Sequence, residues 1–205
     1  MTGWKRTVQW TDWNGDGLET LSIVHNHEGV LAEGVVTGHL EASKYALTYR
    51  LVIDPHWLVR DVRVQIANGP RLHILSDGCG RWVNGDGSEI SDLAGCMDVD
   101  IAATPFTNTL PIRRLKQKPR VPEEISVAYV SVPNLIVEPV QQRYTKLAEN
   151  RFLYEGLSTA FSAELEVDGD GIVLDYPGVS RRLSQRSQFP DCLPTFEVSL
   201  GQRFT

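Results

Sequence analysis

Apolar and polar residues alternate along most of the chain, a pattern typical of β-strands that bury one face. The alternation runs from Leu21 to Ile66 and resumes between Ile125 and Tyr176. Within one run the residues that share a face are Tyr45, Leu47, Tyr49, Leu51 and Ile53. Because helical periodicity is weak, we predict an antiparallel meander with more than about 45% of residues in strands, well above the usual quarter.

Short glycine-containing turns separate the predicted strands. Asp12–Gly17 resembles the opening of a calcium loop, but the bidentate acid expected at the twelfth position falls on Ile23. Similar runs recur at residues 84–87 and 168–171. Asn-Gly and Asp-Gly pairs supply the positive φ angles of tight hairpins, so we interpret all three runs as turns.

Length and composition indicate an ordinary globular protein. The chain has 205 residues, 41% apolar and 22% charged, which is enough for one substantial core, and we predict a single domain over residues 1–205. The formal charge of −6 argues against nucleic acid as the main partner. With neither a signal sequence nor an apolar run near the ~18 residues of a membrane span, we expect a cytoplasmic protein without a transmembrane segment.

The cysteines and histidines do not predict a metal site or a disulfide framework. Cys79, Cys96 and Cys192 are an odd, widely spaced set that we interpret as free thiols. His25 and His27 lie two residues apart on one strand without a third ligand nearby. The sequence also lacks a phosphate-binding glycine loop and a Gly-x-Ser-x-Gly nucleophile motif, so no cofactor is predicted.

The segment from Gly95 to Leu115 concentrates polar recognition groups. It begins like a strand, with Asp98 and Asp100 on one face and apolar residues on the other. An acid on the inner face of a sheet usually pairs with a cation. The arginines available for this are Arg60, Arg113 and Arg114. The two carboxyl groups, about 7 Å apart as same-face neighbours, are alternatively suited to acid–base catalysis.

Five motifs resemble the putative glycolipid-binding family of bacteria. They are Asp54-x-x-Trp57-x-x-Arg60, Asp77-Gly78-x-Gly80-x-Trp82, Gly95-Cys96-x-Asp98-Val99-Asp100, Thr104-Pro105-Phe106-Thr107-Asn108-Thr109-Leu110-Pro111-Ile112-Arg113-Arg114 and Asp175-Tyr176-Pro177-Gly178. The resemblance implies an all-β fold, a single curled antiparallel sheet (a spiral β-roll or open half-barrel) with few short helices, similar to bacterial lipoprotein carriers. It also implies a lipid or glycolipid ligand, and it identifies no catalytic residues.

We therefore expect a binding protein that holds an amphiphile in the concave face of the curled sheet, with an apolar cavity and polar groups at its mouth. The aromatic residues proposed to line the cavity are Tyr49, Trp57, Trp82, Tyr129 and Tyr154. The candidate ligand-binding residues are Trp57, Arg60, Asp77, Trp82, Asp98, Asp100, Thr107, Asn108, Arg113, Arg114 and Tyr129. Two alternatives stay open: the aromatics fill the core, or an enzyme uses Asp98 or Asp100 on a small sugar-like or aromatic metabolite.

Overall fold

The computed structural model describes residues 3–40, 43–115 and 119–183, and strands make up 57% of it. The first seven strands are β1 (Trp4–Asp12), β2 (Leu18–Asn26), β3 (Gly29–Leu40), β4 (Ser43–Ile53), β5 (Val59–Ile66), β6 (Arg71–Ser76) and β7 (Trp82–Asn84). The others are β8 (Asp98–Ile101), β9 (Pro122–Val130), β10 (Val137–Ala148), β11 (Arg151–Gly156), β12 (Ser162–Glu166), β13 (Asp175–Tyr176) and β14 (Ser180–Arg182). The predicted all-β fold is confirmed.

Helical segments within the described residues are short, as predicted. They are the α-helix α1 (Thr109–Leu115) and two 3₁₀ turns, Ser91–Leu93 and Pro105–Asn108. The second turn begins at Thr104, whose side-chain oxygen accepts a 3.0 Å hydrogen bond from the backbone N–H of Phe106. Capping by a threonine hydroxyl satisfies a backbone donor that the turn leaves free, so this motif segment leaves the sheet as a compact helical unit.

Hydrogen bonding divides the strands into two sheets, although the sequence predicts one. The larger sheet has nine strands in the order β13-β14-β1-β2-β3-β4-β5-β6-β7, all paired antiparallel, and it is strongly curled. The smaller sheet has five strands in the order β12-β11-β10-β9-β8. Strands β1 to β7 pair in chain order, as expected of a meander with short turns.

The division arises at β8, which pairs with β9 in parallel. Parallel neighbours need a long crossover, usually through a helix. Here the connection contains the second 3₁₀ turn and α1. The polar motif between Ile101 and Leu115 thus forms the crossover instead of a hairpin, and it starts a second sheet.

Strands β8 and β9 are buried on both faces, as parallel pairs usually are. Val99 and Ile101 of β8 join the main core with the inner face of the nine-stranded sheet. Val127 of β9 belongs to a second core formed with β10 to β12 and β13. Asp98 and Asp100 project from the face of β8 opposite Val99, as the alternation predicts. The acids therefore lie on the face of the smaller sheet that carries the second core.

Two other expectations concern thiols and membrane spans. Cys79 is exposed and Cys96 is buried, and both are free thiols, as predicted. Cys192 lies outside the described residues. In the described part of the chain, no helix has both the length and the apolar character needed to cross a bilayer.

Candidate functional site

The first acid of β8, Asp98, forms a buried ion pair with α1. Its side chain has no exposed surface, and Arg114 donates to both carboxylate oxygens, from Nε at 3.1 Å and from Nη2 at 2.6 Å. Burial raises the pKa of Asp98, and the Arg114 guanidinium opposes that rise. The predicted arginine partner is confirmed for Asp98. Because this bidentate pair occupies both oxygens, Asp98 is a link between β8 and α1.

Asp100 has neutral partners, so the prediction of an arginine partner is wrong for this acid. Thr107 Oγ1 donates to Oδ1 at 2.9 Å, and Gln142 Nε2 donates to Oδ2 at 2.6 Å. No ion pair reaches Asp100 from the described residues, because Arg114 binds Asp98 and Arg113 lies over Trp57. Burial raises the pKa of Asp100, and the two neutral donors offset only part of that rise.

Asp100 lines a cavity of about 240 Å³ between the two sheets. We call it the tyrosine cavity, and its chemically distinctive lining residues are Asp100, Asn108, Tyr129, Tyr154, Phe161 and Tyr176. Tyr154 and Tyr176 meet edge to face with ring centroids 5.8 Å apart, and Phe161 lies 5.9 Å from Tyr176. The rings therefore form a continuous aromatic wall beside one carboxylate and one amide.

The tyrosine hydroxyls of this wall stay protonated over the working pH range. Burial raises the pKa of Tyr154 to about 12, with a further contribution from the charge of Asp100. Burial also raises the pKa values of Tyr129 and Tyr176, and the same carboxylate adds to both. Each hydroxyl can thus both donate and accept a hydrogen bond.

The exposure of the lining residues orients the cavity. Asn108, Tyr154 and Tyr176 are almost fully buried, whereas Phe161 is 39% exposed and Val179, also in the lining, is 36% exposed. The sequence predicts an apolar cavity with polar groups at its mouth, and the tyrosine cavity has the reverse arrangement. Its polar groups lie inside and its exposed rim is apolar.

A second, smaller cavity of about 120 Å³ adjoins the first, and Ala102, Thr104 and Val179 line both. We call it the Glu19 cavity. Glu19 is only 3% exposed, and its Oε1 accepts hydrogen bonds from Tyr49 at 2.5 Å and from Thr104 at 2.7 Å. Burial raises the pKa of Glu19 to about 7, because no cation among the described residues compensates the desolvated charge.

Glu19 was not among the predicted site residues, although the sequence carries a signal for it. Glu19 lies two and four residues before Leu21 and Ile23 on β2, so its side chain lies on the same face of the strand. Leu21 and Ile23 are both fully buried. An acid in register with a buried apolar face is uncommon, because an unpaired buried charge is costly. That rule alone would have selected Glu19.

Arg60 and Asp77, two predicted candidates, meet at a turn. Arg60 donates to Asp54 Oδ2 from Nε at 3.0 Å and from Nη2 at 2.7 Å, and also to the carbonyl oxygen of Asp77. The Asp77 carboxylate accepts from the backbone N–H groups of Cys79 and Arg81. These contacts stabilise the turn, and neither residue lines the two cavities.

The two candidate tryptophans lie in the main core. Trp82 is 1% exposed, and its Nε1 donates to the carbonyl oxygen of Cys96 at 2.8 Å. Trp57 is 6% exposed, and the Arg113 guanidinium lies 4.9 Å from its ring centroid. Neither tryptophan lines the tyrosine cavity or the Glu19 cavity. Of the predicted cavity aromatics, Tyr129 and Tyr154 do line the tyrosine cavity.

Comparison with known proteins identifies one family and one solved structure. A family model described as putative glycolipid-binding matches residues 7–182. The crystal structure of a DUF1089-family protein from Pseudomonas aeruginosa is similar, with 35% sequence identity and a TM-score of 0.65, over 89% of this chain and 93% of that one. Among curated proteins, none matches the sequence. The family match spans most of the described strands, including both cavities.

Proposed function

The chain belongs to the putative glycolipid-binding family, and from this premise we propose that it binds the hydroxyl-rich head group of an amphiphile in the tyrosine cavity. The observation that carries the proposal is Asp100, a carboxylate without a cation partner beside the aromatic wall. Such a carboxylate is a strong acceptor for ligand hydroxyls, because its charge strengthens each hydrogen bond.

The other lining groups complement a sugar-like ring. Tyr129, Tyr154 and Tyr176 offer hydroxyls that donate or accept, and the ring faces offer flat apolar surface. The volume of about 240 Å³ lies below the ~300–1,000 Å³ of pockets for drug-sized ligands. The cavity therefore suits a single ring, and an acyl chain would have to lie outside it.

The apolar rim provides a surface for that chain. Phe161 and Val179 expose apolar side chains at the opening. The inner face of the nine-stranded sheet, where the sequence analysis placed the amphiphile, is filled by buried side chains of the main core. In the proposed arrangement the head group enters the tyrosine cavity and the chain lies along the rim.

The test is calorimetric titration with octyl glucoside below its micelle concentration, with glucose and with octanoate. We expect octyl glucoside to bind best, because among the three ligands it alone has a sugar ring for the cavity and an alkyl chain for the apolar rim. Asp100→Asn and Tyr129→Phe should each weaken its binding about tenfold, or about 1.4 kcal/mol, since each removes one recognition group. Phe161→Ala should weaken octyl glucoside binding more than it weakens glucose binding, because it removes apolar surface at the rim.

The matched control is Leu157→Ala, which removes a similarly exposed apolar side chain (38%) that does not line the cavity. Equal binding of octanoate and octyl glucoside, or equal affinities of the Asp100 variant and the parent, would contradict the proposal. Because burial raises the pKa of Asp100, the same samples should be assayed for hydrolysis of a nitrophenyl glucoside. Turnover that disappears in Asp100→Asn would favour the enzymatic alternative.

A further inference from the structure

The Glu19 cavity contains two buried oxygens without hydrogen-bond partners among the described residues. They are Oε2 of Glu19 and Oγ of Ser180. Glu19 is 3% exposed and Ser180 is 6% exposed, and both residues line this cavity. Buried polar atoms nearly always have a partner in the protein or in ordered solvent. Two unpartnered acceptors on one cavity therefore indicate that something polar completes it.

The surrounding charges leave Glu19 without a cation. The titratable groups that face it are Asp12 from β1, His39 from β3, and Tyr45 and Tyr49 from β4. His39, the one basic residue of the cavity lining, has its Nδ1 3.9 Å from Asp12 Oδ2. Its side chain is therefore directed to Asp12 and not to Glu19. Burial raises the pKa values of both tyrosines, and the negative charge of Glu19 adds to each rise.

We propose that the Glu19 cavity binds a small primary ammonium group, with Glu19 Oε2 and Ser180 Oγ as its acceptors. An ammonium carries three donors and can donate to both oxygens at once, whereas a hydroxyl carries one donor and can donate to only one of them. Its charge compensates the buried carboxylate, which a neutral ligand cannot do. The described residues contain no cluster of three metal-ligating side chains, so a metal ion is a poorer fit.

The cavity has room for such a group. Its volume of about 120 Å³ exceeds the ~10–15 Å³ needed for one water molecule, so it can hold an ammonium with its first carbon or a few waters. Asp12 and His39 in the lining are partly exposed, and they mark the side from which a ligand can enter. Both carboxylates near this route attract a cation.

Ammonium binding is coupled to the ionisation of Glu19. The bound cation stabilises the carboxylate, so it must lower the pKa of Glu19 from its value of about 7 in the free protein. By the same linkage, affinity should fall about tenfold per pH unit well below that value. A neutral hydroxyl ligand would lower the pKa of Glu19 much less, because it can donate a hydrogen bond to the carboxylate but brings no charge.

The test is a ¹³C NMR pH titration of the Glu19 carboxyl signal, assigned with Glu19→Gln. The probes are methylammonium chloride, methanol and sodium chloride at equal concentration. We expect methylammonium at saturation to lower the pKa of Glu19 by at least about one unit, a tenfold linkage, and methanol to lower it much less. Free methylammonium lacks a sugar and a chain, so the result does not depend on the tyrosine cavity.

Variants separate hydrogen bonding from general charge attraction. Ser180→Ala should weaken methylammonium binding several-fold, because it removes one acceptor. Asp16→Asn is the matched control, because Asp16 is an exposed acid in the adjacent turn and does not line the cavity. A pKa shift with methylammonium no larger than with sodium chloride would overturn the proposal. Unchanged affinity in Ser180→Ala, or an equal loss of affinity in Ser180→Ala and Asp16→Asn, would also overturn it.

Discussion

Glu19→Gln should stabilise the protein at neutral and alkaline pH, a result unusual for a substitution of a buried polar residue. The glutamine amide keeps an oxygen that can accept from Tyr49 and Thr104, so the two hydrogen bonds at 2.5 and 2.7 Å persist. The substitution removes the negative charge that the parent protein must bury when the Glu19 carboxyl group ionises. The structure provides no compensating cation among the described residues.

The magnitude follows from the shift in pKa. The folded-state pKa of about 7 lies above the ordinary value of 4.5. The folded state therefore holds the proton more tightly than the unfolded chain, and this contribution is fully present below pH ~4.5. It is lost as pH rises through about 7, and at ~1.4 kcal/mol per unit the loss is about 3 kcal/mol. Glu19→Gln has no such loss.

The assay is thermal unfolding of parent and variant between pH 4.5 and 8.5 at constant ionic strength. The difference in free energy of unfolding should grow by about 3 kcal/mol in favour of the variant as pH rises, or about 6–12 °C in melting temperature for a chain of this size. Glu28→Gln, at an exposed acid in a turn, is the control and should track the parent. Parallel pH profiles for parent and Glu19→Gln would contradict this expectation.

Two further predictions concern contacts around the site. Asp98→Ala and Arg114→Ala each leave the partner's charge buried, so each should lower the free energy of unfolding by about 3–5 kcal/mol. The Asp98→Leu, Arg114→Met double variant should unfold in urea close to the parent. A loss in the double variant equal to the sum of the two single losses would contradict this. Gly34→Ala would place a Cβ 2.1 Å from the Tyr49 ring. The substitution should therefore displace that ring and lower the melting temperature measured by calorimetry by several degrees. An unchanged melting temperature would show that the ring has free space.

The sequence predicted the local geometry of the site well. Alternation on β8 placed Asp98 and Asp100 on one face, and the structure confirms this because side-chain direction in a strand follows from the backbone alone. The arginine partner of Asp98 was also within reach of sequence reasoning, since Arg114 follows it closely on the crossover. Local pattern was sufficient for the Asp98–Arg114 pair, but it did not identify Thr107 of the same segment as a partner of Asp100.

Contacts between distant segments were beyond that reasoning. Gln142, which binds Asp100, lies on β10, and Phe161 and Tyr176 reach the cavity from beyond β11. The approach of Gln142 depends on the order of the strands in the smaller sheet, which includes the parallel pairing of β8 with β9, whereas Tyr176 lies on β13 of the nine-stranded sheet. A sequence with short turns predicts hairpins. The crossover between β8 and β9 was therefore not predicted, and the partners of Asp100 were not predicted either.

The pairing of β14 with β1 has a consequence for how the protein is made. Ser180 lies opposite Asp12, and Trp10 donates from Nε1 to the carbonyl oxygen of Val173, so the first strand is completed by residues near the end of the described chain. During synthesis from the N-terminus, β1 to β7 can assemble while the outer edge of β1 stays unpaired. The wall of the Glu19 cavity that carries Ser180 then forms last. A nascent chain stalled before residue 180 would hold Glu19 in an open cavity and expose an edge strand that could pair with another chain.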